Sequence, residues 1–298
     1  MELGGAASMT VPHALLDALV DDAGLFPPTA LPMDRAVERH RADAAAGEAM
    51  HTHRFLVPAS RLGELRSLLR DGEVFELGLI ADQDAETLAA ACAQILADPR
   101  LRLALLEVPL KAFGEDEHTA LDAVSATLQD VPGEVPLYAE PVVQAHPEPL
   151  LTALAAHAGT RPLGAKLRCG GVRAELFPSV EQVAAFVCAC VAAGVPFKAT
   201  AGLHEVVRHT APETGFTHHG YLNLLLAAAT AADGGDEAAV RAVLEIEDGG
   251  ELARRADTLT GEQAVAARHA LVSYGSCSTA RPVSEARALL HTPVKEHE

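Results

Sequence analysis

Strand-like and helix-like segments alternate along the whole chain, and this alternation most restricts how it can fold. Eight short runs rich in aliphatic residues are each followed by a helical pattern, and the units recur roughly 30 residues apart. Because strands joined through a helix run parallel, the pattern predicts one parallel sheet covered by helices. Eight units favour a closed (β/α)8 TIM barrel over an open doubly wound sheet. No GxGxxG string follows the first strand, which further weakens a Rossmann interpretation.

The predicted segments can be given bounds. Strands are expected at 18–26, 54–58, 75–80, 103–108, 135–140, 163–167, 196–200 and 270–274. Helices are expected at 33–46, 61–69, 84–96, 117–128, 149–156, from the Ser179 cap to 193, 221–232 and 283–290. The 298 residues suit one such barrel, which usually needs about 250, so we predict a single domain over 1–298. The acidic stretch at about 233–261 is predicted to be an insertion that forms a lid, an interface element or a mobile loop.

Charge and composition argue against several functional classes. The formal net charge is −18 and no Lys/Arg cluster interrupts it, so nucleic acid and membrane lipid are poor partners. A small anionic molecule is still a candidate substrate if a local basic pocket attracts it. No run of 18 apolar residues appears and the N-terminus lacks signal-peptide features, which predicts a cytoplasmic protein. A homodimer also stays open, since dimers are the commonest oligomers.

Two lysines stand at predicted strand ends, where barrel enzymes carry their active sites. Lys166 and Lys198 are 32 residues apart, one full unit, so we expect them on neighbouring strands. Two ammonium groups in a partly desolvated pocket disfavour each other's charge, and at least one pKa should fall. A lysine with a near-neutral pKa can form a Schiff base with a carbonyl substrate. Alternatively, both lysines bind an anion or pair with Glu107, Glu140 and Asp22.

Four strings resemble those of the deoxyribose-phosphate aldolase family, class I aldolases on a (β/α)8 barrel. KLRCG at 166–170 is similar to the family's K-T-S-T-G at the end of strand six, and KATAG at 198–202 to its K-A-S-G-G at strand seven. YGSCS at 274–278 is similar to the phosphate-gripping F-G-A-S-S of strand eight. DDAGL at 21–25 loosely resembles D-x-T-x-L, and Glu107 stands about where the family has a catalytic Asp.

The resemblance implies a class I aldolase-like lyase that needs no cofactor and no metal. Lys166 would form the imine, and Lys198 would keep it deprotonated by like-charge repulsion. Glu107 or Asp22 would relay protons, with His204 as a further partner. The residues expected to hold a small anionic carbonyl substrate are Arg168, Gly170, Gly171, Thr200, Gly202, Glu140, Ser276 and Ser278. Arg168 and Cys169 replace small hydroxylic residues of the family, a departure that bears on the phosphosugar substrate more than on the imine.

Other interpretations of these loops stay open. The glycine pair at 170–171 and the loop at 276–278 either cradle a phosphate through backbone N–H groups or are ordinary connectors. The Arg168 guanidinium suits a carboxylate equally well. A metal-dependent hydrolase or lyase could use His204, His218 or His219 with a carboxylate, although no metal-ligand spacing recurs and no metal site is predicted. A non-catalytic barrel that binds a small anion is a third interpretation.

Overall fold

Eight parallel strands close into one barrel in this computed structural model, which describes residues 11–143 and 146–290. The predicted (β/α)8 architecture is therefore confirmed. The barrel strands are β1 (Val20–Asp22), β2 (His51–Pro58), β3 (Phe75–Ile80), β4 (Leu101–Pro109), β5 (Leu137–Glu140), β6 (Leu163–Arg168), β7 (Phe197–Thr200) and β10 (Leu271–Ser276). They follow the order β1-β10-β7-β6-β5-β4-β3-β2 around the barrel. A small antiparallel hairpin, β8 (His209–Thr210) and β9 (Thr217–His218), follows β7.

Helices pack around the outside of the barrel. They are α1 (Val11–Leu16), α2 (Met33–Ala46), α3 (Leu62–Leu68), α4 (Ala85–Ala97), α5 (Glu117–Thr127), α6 (Pro147–Ala156), α7 (Val180–Ala192), α8 (Tyr221–Ala232), α9 (Glu237–Leu244), α10 (Gly249–Thr258), α11 (Gly261–Ala270) and α12 (Ala280–Leu290). Several begin at a side-chain cap, as expected for such termini. Ser179 accepts a hydrogen bond from the Gln182 N–H, which confirms it as the cap of α7.

Two predicted strands differ from the observed ones by three residues or more at one end, and the other six agree to within two residues. The first is shorter than 18–26, because Ala18 has a left-handed backbone with φ of 46° and the chain turns at Ala23, whose carbonyl accepts the Phe26 N–H. The second begins earlier than 54, at His51. The position of His51 beside Val20 of β1 explains this extension, since it completes the closure of the barrel.

The stretch at 233–261 is largely helical and lies in the outer layer. It contains α9, α10 and the start of α11, which pack against α7, α8 and α12 in the outer layer. The buried Asn223 side chain of α8 donates hydrogen bonds to the carbonyls of Val243 (3.0 Å) and Ile246 (2.8 Å). These bonds satisfy backbone groups at the end of α9 and hold the insertion to the helix layer.

One helical stretch in the described part of the chain, Ala174–Ala192, is long and apolar enough to cross a membrane by length and composition. It contains α7, whose Val183, Phe186 and Val187 are buried against the barrel. Phe186 packs edge-on against Phe197 of β7, with ring centroids 5.7 Å apart. The absence of a membrane partner and the cytoplasmic location stay predictions.

Candidate active site

The barrel interior holds a chain of alternating charges where aliphatic layers are usual in this fold. Seven side chains from β1, β2 and β4–β7 follow one another with opposite signs. They are Arg54, Asp21, Lys198, Glu107, Lys166, Glu140 and Arg168. Each of the three carboxylates lies between two cations and contacts each through a different oxygen. Four cations against three anions leave one net positive charge inside a protein of charge −18.

Lys198 lies at the buried end of this chain. Its side chain has no solvent exposure, and its amino group contacts the carboxylates of Asp21 and, at 3.3 Å, Glu107. It also donates a hydrogen bond to the Ser273 hydroxyl (2.9 Å), and its Nζ lies 5.8 Å from the centroid of the Tyr138 ring. All donor capacity of Lys198 is thus used inside the protein. It does not line the cavity described next.

Lys166 lies at the wall of a cavity of about 260 Å³ at the carboxyl ends of the strands. Its Nζ is 2.8 Å from Glu107 Oε2 and 3.4 Å from Glu140 Oε2. Lys166 and Lys198 are register partners on β6 and β7, as predicted from their spacing. The polar residues that line the cavity are Lys166, Arg168, Thr200, His204 and Cys277, and the other lining residues are apolar or glycine.

The protonation of the lysine pair differs from the sequence-based expectation. Burial alone would lower the pKa of Lys166, but the nearby charges of Glu107 and Glu140 outweigh it and raise this pKa above the usual value. The same contacts hold the pKa of Glu107 and Glu140 below the usual range despite their burial. The prediction that repulsion between the lysines frees Lys166 of its proton is therefore wrong for the protein without substrate. Carboxylates between the ammonium groups neutralise the repulsion.

Asp21, and not Asp22, is the carboxylate of β1 that reaches the lysines. Successive side chains of a strand point to opposite faces, so only one of the two can face the barrel interior. Asp22 instead accepts hydrogen bonds from the Gly24 N–H (3.0 Å) and Arg39, and lies 3.1 Å from His40 Nδ1. Its predicted role as proton relay is not supported by this position.

His204 and Cys277 form a thiol–imidazole pair in the cavity wall. Cys277 Sγ lies 3.6 Å from His204 Nδ1 and accepts a hydrogen bond from the Thr29 hydroxyl (3.1 Å). Burial raises the pKa of this thiol, but the hydrogen bonds from His204 and Thr29 outweigh it and lower the pKa to about 7. The Cys277 thiol is buried and lines the same cavity as Lys166, with a pKa close to neutral.

Ser276 and Ser278, predicted to hold the anionic group of the substrate, do not line the cavity. The Ser276 hydroxyl is buried and donates to the Ser278 carbonyl (2.7 Å), while the Ser278 hydroxyl accepts the Arg281 N–H (3.2 Å). On β10 the cavity is lined by Gly275 and Cys277, since side chains of a strand alternate. Neither serine hydroxyl is therefore available to a molecule in the cavity.

Gly170 and Gly202 pack against each other. This close packing accounts for a glycine at both positions without any bound ligand. A Cβ on Gly170 would lie 2.9 Å from the Cα of Gly202, and one on Gly202 would lie 2.7 Å from the Cys169 carbonyl oxygen. Gly202 also has a φ of +72°, which favours glycine. Gly171 and Thr200 do line the cavity, as the prediction placed them.

The histidines of the metal interpretation hold loops together. His218 Nδ1 lies 3.2 Å from the Gly202 carbonyl oxygen, and His219 Nε2 lies 2.8 Å from that of Pro178. In residues 11–143 and 146–290, no group of three or more His, Cys, Asp or Glu side chains is arranged to hold a metal ion.

Sequence reasoning missed three residues of the charged interior, Arg54, Tyr138 and Ser273, and it gave the proton-relay role to Asp22 where Asp21 reaches the lysines. One signal could have marked the site more firmly. Only four of the 298 residues are lysines, and two of these are the buried pair. In a chain that otherwise uses arginine for positive charge, two lysines at adjacent strand ends indicate a need for an amine that can lose its proton.

Compared with family models, curated proteins and solved structures, the chain matches none. The likeness to deoxyribose-phosphate aldolases therefore rests on the short strings at the ends of β6, β7 and β10. The function has to be argued from the site itself.

Proposed function

We propose that the protein is a class I aldolase-like lyase in which Lys166 forms an imine with a small, anionic carbonyl substrate. One observation carries this proposal: a buried amine lies at the wall of a cavity and is in ion-pair contact with two carboxylates. A nucleophilic lysine needs a base close enough to take its proton and a space for the carbonyl carbon. Lys166 has both.

Imine formation uses the carboxylates as proton acceptors. Lys166 gives a proton to Glu107, 2.8 Å away, and the free amine attacks the carbonyl carbon to form a C–N bond. The carbonyl oxygen takes up one proton from Glu107 and one from the attacking nitrogen and leaves as water, so the product is a protonated imine beside an ionised Glu107. Because that product keeps a positive charge on nitrogen, the alternating order of charges along the interior is preserved.

The protonated imine then accepts electrons from carbon–carbon cleavage. A base takes the proton of a hydroxyl group on the carbon β to the imine carbon, the bond between the α and β carbons breaks, and an aldehyde leaves. The electron pair forms an enamine, which is protonated at its α carbon and hydrolysed to free the second product. His204 lines the cavity and is the candidate base for the hydroxyl.

Lys198 acts through Glu107 in this scheme. It is buried below the cavity and contacts the Glu107 oxygen that does not face Lys166 (3.3 Å). This contact keeps Glu107 ionised and oriented, so that its other oxygen can accept the Lys166 proton. Lys198 is thus a positioning residue, and Asp21 and Ser273 hold it in turn.

Reductive trapping tests the proposal. Protein incubated with small ketones, aldehydes and 2-oxo acids is treated with cyanoborohydride and its intact mass is measured. We expect an adduct in the wild type and none in the Lys166→Met variant. Lys111→Met is the matched control, because Lys111 is an exposed lysine on the short helix after β4 and its loss should leave the adduct unchanged. If no carbonyl compound gives an adduct, the imine proposal fails.

A non-catalytic barrel that binds a small anion is the second candidate. The raised pKa of Lys166 favours it, because an ammonium group at the cavity wall binds an anion without further chemistry. Calorimetric titration with pyruvate separates the two. Saturable binding without any trapped adduct would support the binding barrel, and an adduct on Lys166 would support the lyase.

A further inference from the structure

The cavity presents two basic side chains to a bound molecule, and they come from alternate residues of one strand. Lys166 and Arg168 on β6 both line it, and its remaining polar residues are Thr200, His204 and Cys277. Alternate side chains of a strand point to the same face. A substrate whose carbonyl reaches Lys166 therefore meets Arg168 next.

Arg168 has donors to spare for a ligand. Its Nε donates to Glu140 Oε1 (2.9 Å), which orients the guanidinium plane. Neither of its two terminal nitrogens has a partner among the described residues, and 31% of the side chain is exposed. A guanidinium held on one edge with its other donors free is suited to a two-pronged bond with a carboxylate.

The distance between the Lys166 amine and the Arg168 guanidinium sets how far the anionic group of a bound substrate can lie from its carbonyl carbon. Glu140 contacts Lys166 through Oε2 (3.4 Å) and Arg168 through Oε1 (2.9 Å), so the width of a single carboxylate spans them. A molecule bound to both must carry its anionic group next to its carbonyl carbon. A sugar phosphate, whose phosphate stands several bonds from the carbonyl, fits this spacing poorly.

The other end of the cavity offers little to a phosphate. The hydroxyls of Ser276 and Ser278 are bonded within their own loop, and the glycines at 170 and 202 are packed against each other. Phe26, Leu56 and Ile80 also line the cavity. This apolar wall suits a short apolar chain beyond the hydroxyl-bearing carbon more than a second charged group.

We propose that Arg168 forms a carboxylate subsite and that the substrate class is a small 4-hydroxy-2-oxo acid whose chain beyond the hydroxyl-bearing carbon is apolar. This inference rests on the imine function of Lys166 and extends it to substrate choice. The carboxylate binds the free edge of Arg168, the adjacent carbonyl carbon reaches the Lys166 amine, and the remainder of the molecule lies against the apolar wall.

Trapping of two matched ketones tests this subsite. Pyruvate and acetone differ only in that one methyl group is replaced by a carboxylate, and hydroxyacetone phosphate places a phosphate farther away. In wild-type protein we expect pyruvate to be trapped at a concentration at least roughly tenfold lower than acetone, as a charge-assisted pair should provide. Arg168→Gln should remove most of this preference, and Arg168→Lys, which keeps the charge but not the fork, should retain part of it.

Arg173→Gln is the matched control. Arg173 is exposed in the loop that follows β6, so its replacement should leave the preference for pyruvate unchanged. Equal trapping of pyruvate and acetone, a preference for hydroxyacetone phosphate, or a pyruvate preference that survives Arg168→Gln would overturn the carboxylate subsite while the imine stands. If none of the three ketones is trapped, the imine proposal and this inference fall together.

Discussion

Glu107 has a central place in the charged interior, because one oxygen contacts each lysine. With both lysines protonated, its charge separates two ammonium groups that would otherwise repel each other. This explains why burial does not lower the pKa of Lys166. The amine must nevertheless be neutral to attack a carbonyl carbon. We therefore expect the rate of imine trapping to rise with pH from neutral into the alkaline range.

Replacement of Glu107 by Gln should separate imine formation from turnover. Loss of the carboxylate lowers the pKa of Lys166, so the pH profile of trapping should move to lower pH. Proton exchange with the Lys166 nitrogen during imine hydrolysis should suffer, with turnover lowered by roughly 100-fold or more. The measurement is trapping rate and turnover across pH for the wild type and Glu107→Gln. A trapping profile that stays in place or moves upward would contradict this account of the site.

Cys277 should react as a partly ionised thiol. The thiolate is the nucleophile, so alkylation by iodoacetamide should increase with pH around a midpoint of about 7. His204→Asn removes a hydrogen bond to the sulfur and should move the midpoint upward. Cys188 on α7 is the internal reference, since burial raises the pKa of this partly exposed thiol. Peptide mapping that finds Cys277 no more reactive than Cys188 at pH 7 would rule the ionised pair out.

At the scale of the elements, the ends of β6 and β7 are joined by the contact between Gly170 and Gly202. Gly202→Ala adds a methyl group 2.7 Å from the Cys169 carbonyl oxygen, at a φ of +72°. Gly215→Ala in the hairpin meets a similar φ of +71° but no atom within 4 Å. Both variants carry the backbone cost, so their difference in urea unfolding isolates the clash. We expect Gly202→Ala to be less stable by a further 1–3 kcal/mol, roughly, and equal losses would disprove the packing role.

Strand periodicity predicted the barrel and the neighbouring lysines, because both depend on the order and length of units. It did not predict which side chains face inward. Asp21 and Asp22 are adjacent in sequence, and the register of β1 against β2 is irregular at this point. Which residues face the cavity was likewise uncertain by one position after β10 began. The sequence therefore predicted Ser276 and Ser278 in the site, where the structure has Gly275 and Cys277. The ion pairs depend on long-range contacts across the barrel, which no local pattern encodes.

At the scale of the whole molecule, a small positive interior lies within a protein of net charge −18. The surface field opposes the approach of an anion, while the buried ion pairs are screened little by salt. We therefore expect trapping of pyruvate to speed up as ionic strength rises from about 10 mM to about 150 mM. Acetone, which is neutral, should be unaffected and serves as the control. If the rate of pyruvate trapping falls over this range, attraction of pyruvate by positive charge near the cavity outweighs its repulsion by the net negative charge of the protein.

The position of the reduced adduct tests the central claim most directly. The chain has four lysines, Lys111, Lys166, Lys198 and Lys295, so peptide mapping after cyanoborohydride trapping can assign the modified one without ambiguity. We expect modification of Lys166 alone, because it lines the cavity while Lys198 is fully buried and does not line it. An adduct on Lys198, or an adduct on Lys111 or Lys295 that is unchanged in Lys166→Met, would contradict it.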